Sequence, residues 1–159
     1  MACNVVLAMC ADERLIAAEE KDVDMTSAIL QAAQLHLHSP NIVKSVCMCF
    51  CSLISVFEEC AFRFLYLPAQ NNNGKDLDGI ELMRDAYDIH KDKSDVVENV
   101  CLVFKELSNY SEMLDEMKSI RLDETLFNDI VKRYRDNESV SKICSIIILR
   151  MNAVRTGKK

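Results

Sequence analysis

Three cysteines, Cys47, Cys49 and Cys51, occupy alternate positions of one apolar run and are the side chains most capable of chemistry. Cysteine thiolates ligate zinc, and His36 or His38 could supply the nitrogen ligands of a tetrahedral site. On a helix, however, positions 47 and 51 share one face while position 49 points nearly opposite. We therefore expect no metal site here and interpret Cys47 as a core residue. The sequence assigns no role to Cys49 and Cys51.

The tripeptide His90-Lys91-Asp92 can be compared with the catalytic loop of protein kinases, in which an Asp accepts the proton of the substrate hydroxyl. That loop carries a magnesium-binding Asn five residues after the Asp, and position 97 is a valine. The glycine-rich loop and the Asp-Phe-Gly tripeptide are also absent from the sequence. We expect His90 to lie near the carbonyl end of a helix, where a positively charged side chain is favoured.

Asp76, Asp78 and Gly79 follow the alternation of a calcium-binding loop. With Gly79 at the sixth loop position, the first ligand position falls on Gly74 and the position of the bidentate Glu on Asp85. Because both residue types are wrong, we expect Asp76 or Asp78 to cap the next helix instead. No nucleophile lies in a recognisable catalytic motif, so the sequence predicts no catalytic, metal-binding or cofactor-binding residue and no enzyme activity.

The helices that carry these residues form a repeat. Six of eighteen positions are identical between residues 36–53 and 90–107, which lie 54 residues apart, and an apolar set recurs 43 or 44 residues later. The apolar matches fall on one face of a helix. Such a recurrence is typical of an armadillo- or HEAT-like α-solenoid, in which each unit buries its apolar face against the next. The identical pairs are His36/His90, Val43/Val97, Val46/Val100, Cys47/Cys101, Phe50/Phe104 and Leu53/Leu107, and the third set is Val140, Ile143, Cys144, Ile147 and Met151.

Periodicity and turn signals predict an all-α chain with about three helical repeats. We expect one armadillo-like domain at 1–154, with units at about 1–57, 58–109 and 110–154, followed by a basic tail at 155–159. Phe50, Phe104 and Ile147 should be buried at equivalent places. The glycine usual between the first two helices of an armadillo unit is absent at Arg121-Leu122-Asp123. The predicted helices cover about 4–12, 24–37, 41–57, 77–91, 95–109, 112–119, 123–135 and 138–153, with a short helix or extended connector at 58–66 and a loop at 68–76.

Composition narrows the classes of partner. Half the residues are apolar, and only three glycines and two prolines occur, which favours a globular helical protein. The net charge of −6 argues against nucleic acid, since the basic cluster at Arg150, Arg155, Lys158 and Lys159 is expected to be a solvated end. No uncharged stretch reaches the length of a membrane span. The cysteines lie mostly within apolar helical runs, and no signal peptide precedes them, so we expect a reducing, cytoplasmic compartment.

Residues 82–152 resemble the C-terminal armadillo-like region of the vertebrate serine/threonine kinase-like domain-containing proteins. The distinctive part is Tyr87 and His90 followed by the run Val96-Val97-Glu98-Asn99-Val100, and weaker similarity extends through 42–55 to the N-terminus. Members of that family carry a kinase-like domain ahead of the repeats, and none of it is present in this sequence. The resemblance therefore implies a fragment, a short isoform or a relative that lost the kinase-like half. The matching runs are 83–92, 95–100 and 107–114.

We favour a non-catalytic interaction module that binds a protein partner of unknown identity. The alternative is a fragment in which these repeats regulate a missing ATP-binding kinase-like domain, and a third hypothesis is a metal- or redox-responsive protein that uses Cys49 and Cys51. Self-association is also expected, because the apolar N-terminal helix has no partner before it. Its apolar face is expected to bear some of Val5, Val6, Met9 and Cys10.

The first prediction concerns nucleotide binding. Because the sequence lacks the phosphate-binding loop, the strand lysine and the magnesium ligands of a kinase, isothermal titration calorimetry with ATP and magnesium should show no saturable heat. A known ATP-binding protein in the same buffer provides the positive control. Saturable ATP binding would contradict the interpretation of a non-catalytic chain.

Overall fold

A computed structural model of the chain describes residues 25–56, 58–66, 69–70 and 76–156. Within these ranges the backbone is helical apart from turns and one pairing of two very short strands. The helices are α1 (Met25–Leu35), α2 (Pro40–Val56), α3 (Glu58–Tyr66), α4 (Gly79–His90), α5 (Ser94–Leu107), α6 (Ser111–Ser119), α7 (Glu124–Arg133) and α8 (Glu138–Thr156), and the strands are β1 (Ala69–Gln70) and β2 (Asp76–Leu77).

The predicted all-α class is confirmed. Each predicted helix from 24–37 onward is present within a few residues of its expected bounds, and the segment 58–66 is a helix. The segment predicted as a loop also contains an antiparallel pairing of Ala69 with Leu77 and of Gln70 with Asp76. Helix α8 continues to Thr156, so the first two residues of the expected tail are helical. The predicted helix at 4–12, with its expected role in self-association, lies outside the described residues.

Local sequence fixes where the helices begin. Asp78 caps α4, since its carboxylate accepts a hydrogen bond of 2.7 Å from the backbone N–H of Glu81, which satisfies one of the free donors of the first turn. Asp123 caps α7 in the same way. Pro40 occupies the first position of α2, where its missing N–H costs no hydrogen bond. The expectation that Asp76 or Asp78 is a helix cap is therefore confirmed for Asp78.

The connection between α6 and α7 is closed by a residue in the left-handed conformation. Arg121 has φ 64°, and the N–H of Leu122 donates to the carbonyl of Met117 over 2.8 Å. This geometry resembles the helix ending that glycine usually provides. The chain thus makes the turn without the glycine whose absence the sequence analysis noted, and Leu122 is buried beside it.

The long helices pack side by side. Helix α5 contacts α2 on one side and α8 on the other, while α1, α4 and α7 each pack against the long helix that follows them in the chain. The three equivalent core residues, Phe50, Phe104 and Ile147, are at most 1% exposed, as predicted. Phe50 meets Phe64 edge-on with ring centroids 4.6 Å apart, and Phe104 meets Phe127 at 6.0 Å. The buried residues form one continuous cluster.

Close packing also explains a glycine. A Cβ atom at Gly79 would lie 2.6 Å from the ring of Phe64. Gly79 is therefore required where α4 begins against α3, and its presence after two aspartates reflects packing.

No helix among the described residues is long and apolar enough to cross a lipid bilayer.

The second prediction tests the seam between helices. Phe104→Ala should lower the free energy of unfolding by about 3–5 kcal/mol, because the cavity left beside Phe127 cannot be filled by packed helices. Leu149→Ala is the matched control, since Leu149 is 69% exposed, and it should change stability by less than about 0.5 kcal/mol. Urea unfolding followed by circular dichroism measures both. A loss below about 1 kcal/mol for Phe104→Ala would show that this face is not a core.

Candidate functional site

The cysteines singled out by their spacing are core residues for the most part. Cys47 and Cys49 are at most 1% exposed, and Cys51 is partly buried. Cys49 is covered although it points away from Cys47, because α2 packs against α1 and α3 as well as α5. His36 and His38 are exposed. Within the described ranges, no three His, Cys, Asp or Glu side chains converge in a way that could hold a metal ion.

His90 lies in the last turn of α4, as expected, and only 4% of it is exposed. Its Nε2 lies 2.8 Å from the carbonyl oxygen of Leu37, in the turn after α1. Since a carbonyl only accepts hydrogen bonds, Nε2 must carry the proton. His90 thus ties the end of α4 to the turn after α1 through a hydrogen bond that the sequence did not reveal.

A corresponding contact occurs one unit later. The Tyr134 hydroxyl donates to the carbonyl of Lys91, and Arg133 Nη1 reaches the same carbonyl at 3.2 Å and the carboxylate of Asp92 at 2.8 Å. Leu37 and Lys91 lie 54 positions apart, the offset of the sequence repeat. In both places, the first residue after an aligned histidine has its carbonyl bound by a side chain at the end of the helix that precedes the next long helix.

The starts of the long helices are also linked. Lys44 of α2 binds the carboxylate of Asp95 in α5 at 2.6 Å, and Ser139 of α8 donates to the carboxylate of Glu98 at 2.6 Å. Lys44 and Glu98 are again 54 positions apart. The hydrogen bond from Lys44 lowers the pKa of Asp95. Because Asp95 is exposed, this pair contributes little stability, and its value is as a marker of equivalent geometry.

Donors from the following unit also reach the carbonyl ends of the long helices. The Tyr110 hydroxyl donates to the carbonyl of Ile54 at 3.4 Å. Arg150 donates to the carbonyl of Lys105 at 2.7 Å and to the Ser108 hydroxyl at 2.8 Å. These bonds satisfy carbonyls that a helix end leaves without partners. The expectation that Arg150 belongs to a solvated basic end was therefore wrong, because the side chain is half-buried against α5.

Sulfur atoms contact one another at two places where helices pack together, α8 against α5 and α2 against α4. The thiol of Cys144 lies 3.9 Å from the sulfur of Cys101, and the thiol of Cys47 lies 3.8 Å from the thioether of Met83. The hydrogen bond with Cys144, together with burial, raises the pKa of the Cys101 thiol. Burial likewise raises the pKa of Cys47, and it raises that of Cys51 to about 12. These four thiols comprise three buried core residues and one half-buried neighbour.

The faces of the long helices that point away from the core form the candidate surface. We call this surface the outer stripe. It mixes apolar side chains with hydroxyl and amide groups and includes one acidic and one basic residue; Met48 is 50% exposed and Leu149 is 69% exposed. The repeat pattern does not reveal this surface, because the buried positions keep the same residue types from unit to unit whereas these outward-facing positions do not. The outer stripe consists of Ser45, Met48 and Ser52 of α2, Asn99, Leu102 and Glu106 of α5, and Lys142, Ser145 and Leu149 of α8.

Two shallow clefts lie near the later helices. One, of about 430 Å³, is lined by Lys118, Asp123, Glu124, Thr125 and Met151. The other, of about 320 Å³, is lined by Ser108, Asn109, Ser111, Leu114, Arg150 and Ala153. Arg150 is already bonded to α5, and Asp123 caps α7. These two polar side chains of the clefts therefore already take part in hydrogen bonds that stabilise the fold.

The chain is an all-helical protein with a repeated set of contacts between its helices. It matches no protein-family model, and no solved structure matches it significantly.

The third prediction concerns the buried histidine. His90→Ala should cost about 2–3 kcal/mol of unfolding free energy, because it leaves the Leu37 carbonyl without its donor and opens a small cavity. The adjacent Ile89→Ala is the control, since Ile89 is 40% exposed, and it should cost clearly less. Denaturant unfolding of both variants measures the difference. If both variants lost the same free energy of unfolding, the hydrogen bond to Leu37 would not contribute to stability.

Proposed function

We propose that the chain is a short armadillo-like solenoid that acts as a non-catalytic module for binding another protein. The recurrence of contacts between successive units carries this proposal. Two contacts recur one unit later: the bond to the carbonyl of Leu37 and the bond from Lys44. In each, the residue on the earlier unit is replaced by the residue 54 positions later, and its partner by a residue 43 or 44 positions later. Packing that repeats with the sequence is what stacked units require.

The described packing suits a binding surface. Helix α5 lies between α2 and α8 and is tied to both at its beginning and near its end. The buried packing of these three neighbouring helices holds the outer stripe in fixed relative positions, and the polar contacts accord with that arrangement. A surface whose side chains are already ordered loses less entropy on binding than a mobile one.

The chemistry of the outer stripe indicates the class of partner. Met48, Leu102 and Leu149 place one exposed or partly exposed apolar side chain on each long helix. Asn99 lies beside them; its Nδ2 donates to the carbonyl of Asp95 at 2.7 Å, and its Oδ1 is an acceptor for a peptide N–H. Glu106 is paired with Lys105, so little free charge remains in the centre. The surface therefore suits an extended, weakly charged protein segment with spaced apolar side chains.

Two further observations accord with this proposal. The resemblance of residues 82–152 to the armadillo-like region of the kinase-like domain-containing proteins concerns their repeats, and we propose a relationship to that family on this ground. Cys47, Cys51, Cys101 and Cys144 are thiols that form no disulfide in this structure. Free buried thiols are usual in a reducing compartment, so we propose that the module works in the cytoplasm.

The fourth prediction tests the outer stripe with a peptide library. Selection against the immobilised chain should enrich extended peptides with spaced apolar residues, and one enriched peptide, labelled for fluorescence anisotropy, should give a measurable Kd. Leu149→Glu should weaken its binding at least about tenfold, because a charge then replaces an apolar contact.

Ile89→Glu is the matched control. It places the same charge at an exposed apolar residue of α4, outside the outer stripe, and it should leave Kd within about twofold. Circular dichroism verifies that both variants fold. An equal effect of both substitutions, or a selection that enriches no common sequence, would contradict the proposal.

A further inference from the structure

The seam between α5 and α8 holds two thiols in direct contact. Cys101 and Cys144 are both 0% exposed, and their sulfur atoms lie 3.9 Å apart. They occupy equivalent core positions of the second and third units. A disulfide bond requires the sulfur atoms to approach to about 2.05 Å from cysteines on adjacent backbone segments. The remaining approach is about 2 Å, so closure requires rotation of the two side chains together with a shift of α5 relative to α8.

We propose that Cys101 and Cys144 are a reversible dithiol pair that closes to a disulfide between α5 and α8. The pairing is selective because Cys144 is the thiol in contact with Cys101, whereas the nearby Cys47 contacts a different sulfur atom. Cys47 faces the thioether of Met83, and a thioether cannot form a disulfide. Cys47 and Cys51 lie on the same helix one turn apart. The bond would add a covalent cross-link between two neighbouring helices that otherwise meet only through packing and hydrogen bonds.

The contact between the two thiols provides the first nucleophile. A hydrogen bond from one thiol to the other stabilises a thiolate at the acceptor sulfur, and the sulfur atoms of Cys101 and Cys144 lie 3.9 Å apart. With a hydroperoxide as oxidant, the thiolate of one cysteine attacks a peroxide oxygen, the O–O bond breaks, that cysteine becomes a sulfenic acid, and the departing hydroxide takes up the thiol proton to form water. The sulfur of the other cysteine then attacks the sulfenic sulfur and displaces a second water. In total, two thiols and one hydrogen peroxide yield one disulfide and two waters.

Oxidant must reach a buried pair, so the reaction requires a local opening. Helix α8 is held at this seam by packing against α5 and α7 and by the bonds of Arg150 and Ser139. Openings of single helices occur in native proteins below the free energy of complete unfolding. The disulfide would trap α8 against α5 after such an opening, and it would join residues 43 positions apart across α6 and α7.

This inference does not depend on the outer stripe or on any partner. It predicts a consequence for stability, because a cross-link over a segment of this length restricts the unfolded chain. We expect the melting temperature of the oxidised chain to rise by about 5–10 °C. The rise should disappear when a thiol reductant is added.

The test treats the full chain with graded hydrogen peroxide and measures intact mass, followed by peptide mapping without reduction. The expected result is a loss of two hydrogen atoms, a cross-linked peptide containing Cys101 and Cys144, and the higher melting temperature. Cys144→Ser should abolish all three. Cys47→Ser is the matched control, since Cys47 is an equally buried residue at the equivalent position of α2, and it should retain them.

Two further measurements keep the outcome clear. In concentrated urea, the same oxidation should produce mixed pairings, because the folded contact is lost. Circular dichroism of Cys144→Ser shows whether the fold persists, and the mapping of the unmodified sequence decides the proposal even if that variant does not fold. The proposal is overturned if the folded chain links other cysteines preferentially, or if oxidation proceeds to sulfinic acids without a bond between Cys101 and Cys144.

Discussion

The burial of α5 between α2 and α8 is the contact on which the rest of this fold depends. The apolar sides of α5 are unfavourable in water and need both neighbours to cover them: Val97, Val100, Cys101 and Phe104 are at most 1% exposed. Each neighbour covers one side, and in doing so each fixes the position of the shorter helices packed against it. The hydrophobic effect is not directional, so the hydrogen bonds between units are needed to fix how the helices are oriented. Hydrophobic burial brings the long helices together, and polar contacts such as that of His90 with Leu37 select their register.

Much of this fold could be predicted from residue periodicity. Core positions such as Phe50 and Phe104 recur with helical spacing, and burial follows from that pattern because helices hide one face. Helix starts were readable at Asp78 and Pro40, since capping is a local interaction. The left-handed Arg121 could not be predicted, because the surrounding packing imposes the conformation without a glycine to signal it. The partners of Arg150 were equally inaccessible, since they depend on which helix lies beside α8.

The candidate surface was harder to foresee than the core, for a physical reason. The turn contacts use backbone carbonyls as acceptors, so the acceptor residue can be Leu37 or Lys91 without changing the bond. The donors also change type, from a histidine ring to a tyrosine hydroxyl, while serving the same carbonyl position. Sequence identity does not reveal an interaction whose two participants are both replaceable. The outer stripe is still less visible, because exposed positions are free to differ between units and the core pattern only locates them by exclusion.

The unequal spacing of the units has a consequence for how the chain can change in evolution. The starts of α2 and α5 are separated by 54 residues, and those of α5 and α8 by 44. Most of the surplus lies in the connection from α3 to α4, residues 67–78, whereas four residues, 120–123, join α6 to α7. Despite the unequal spacing, α2 and α8 both pack against α5. Insertions and deletions in that connection can therefore be inherited without altering the seam, which makes it the place where relatives of this chain should differ most in length.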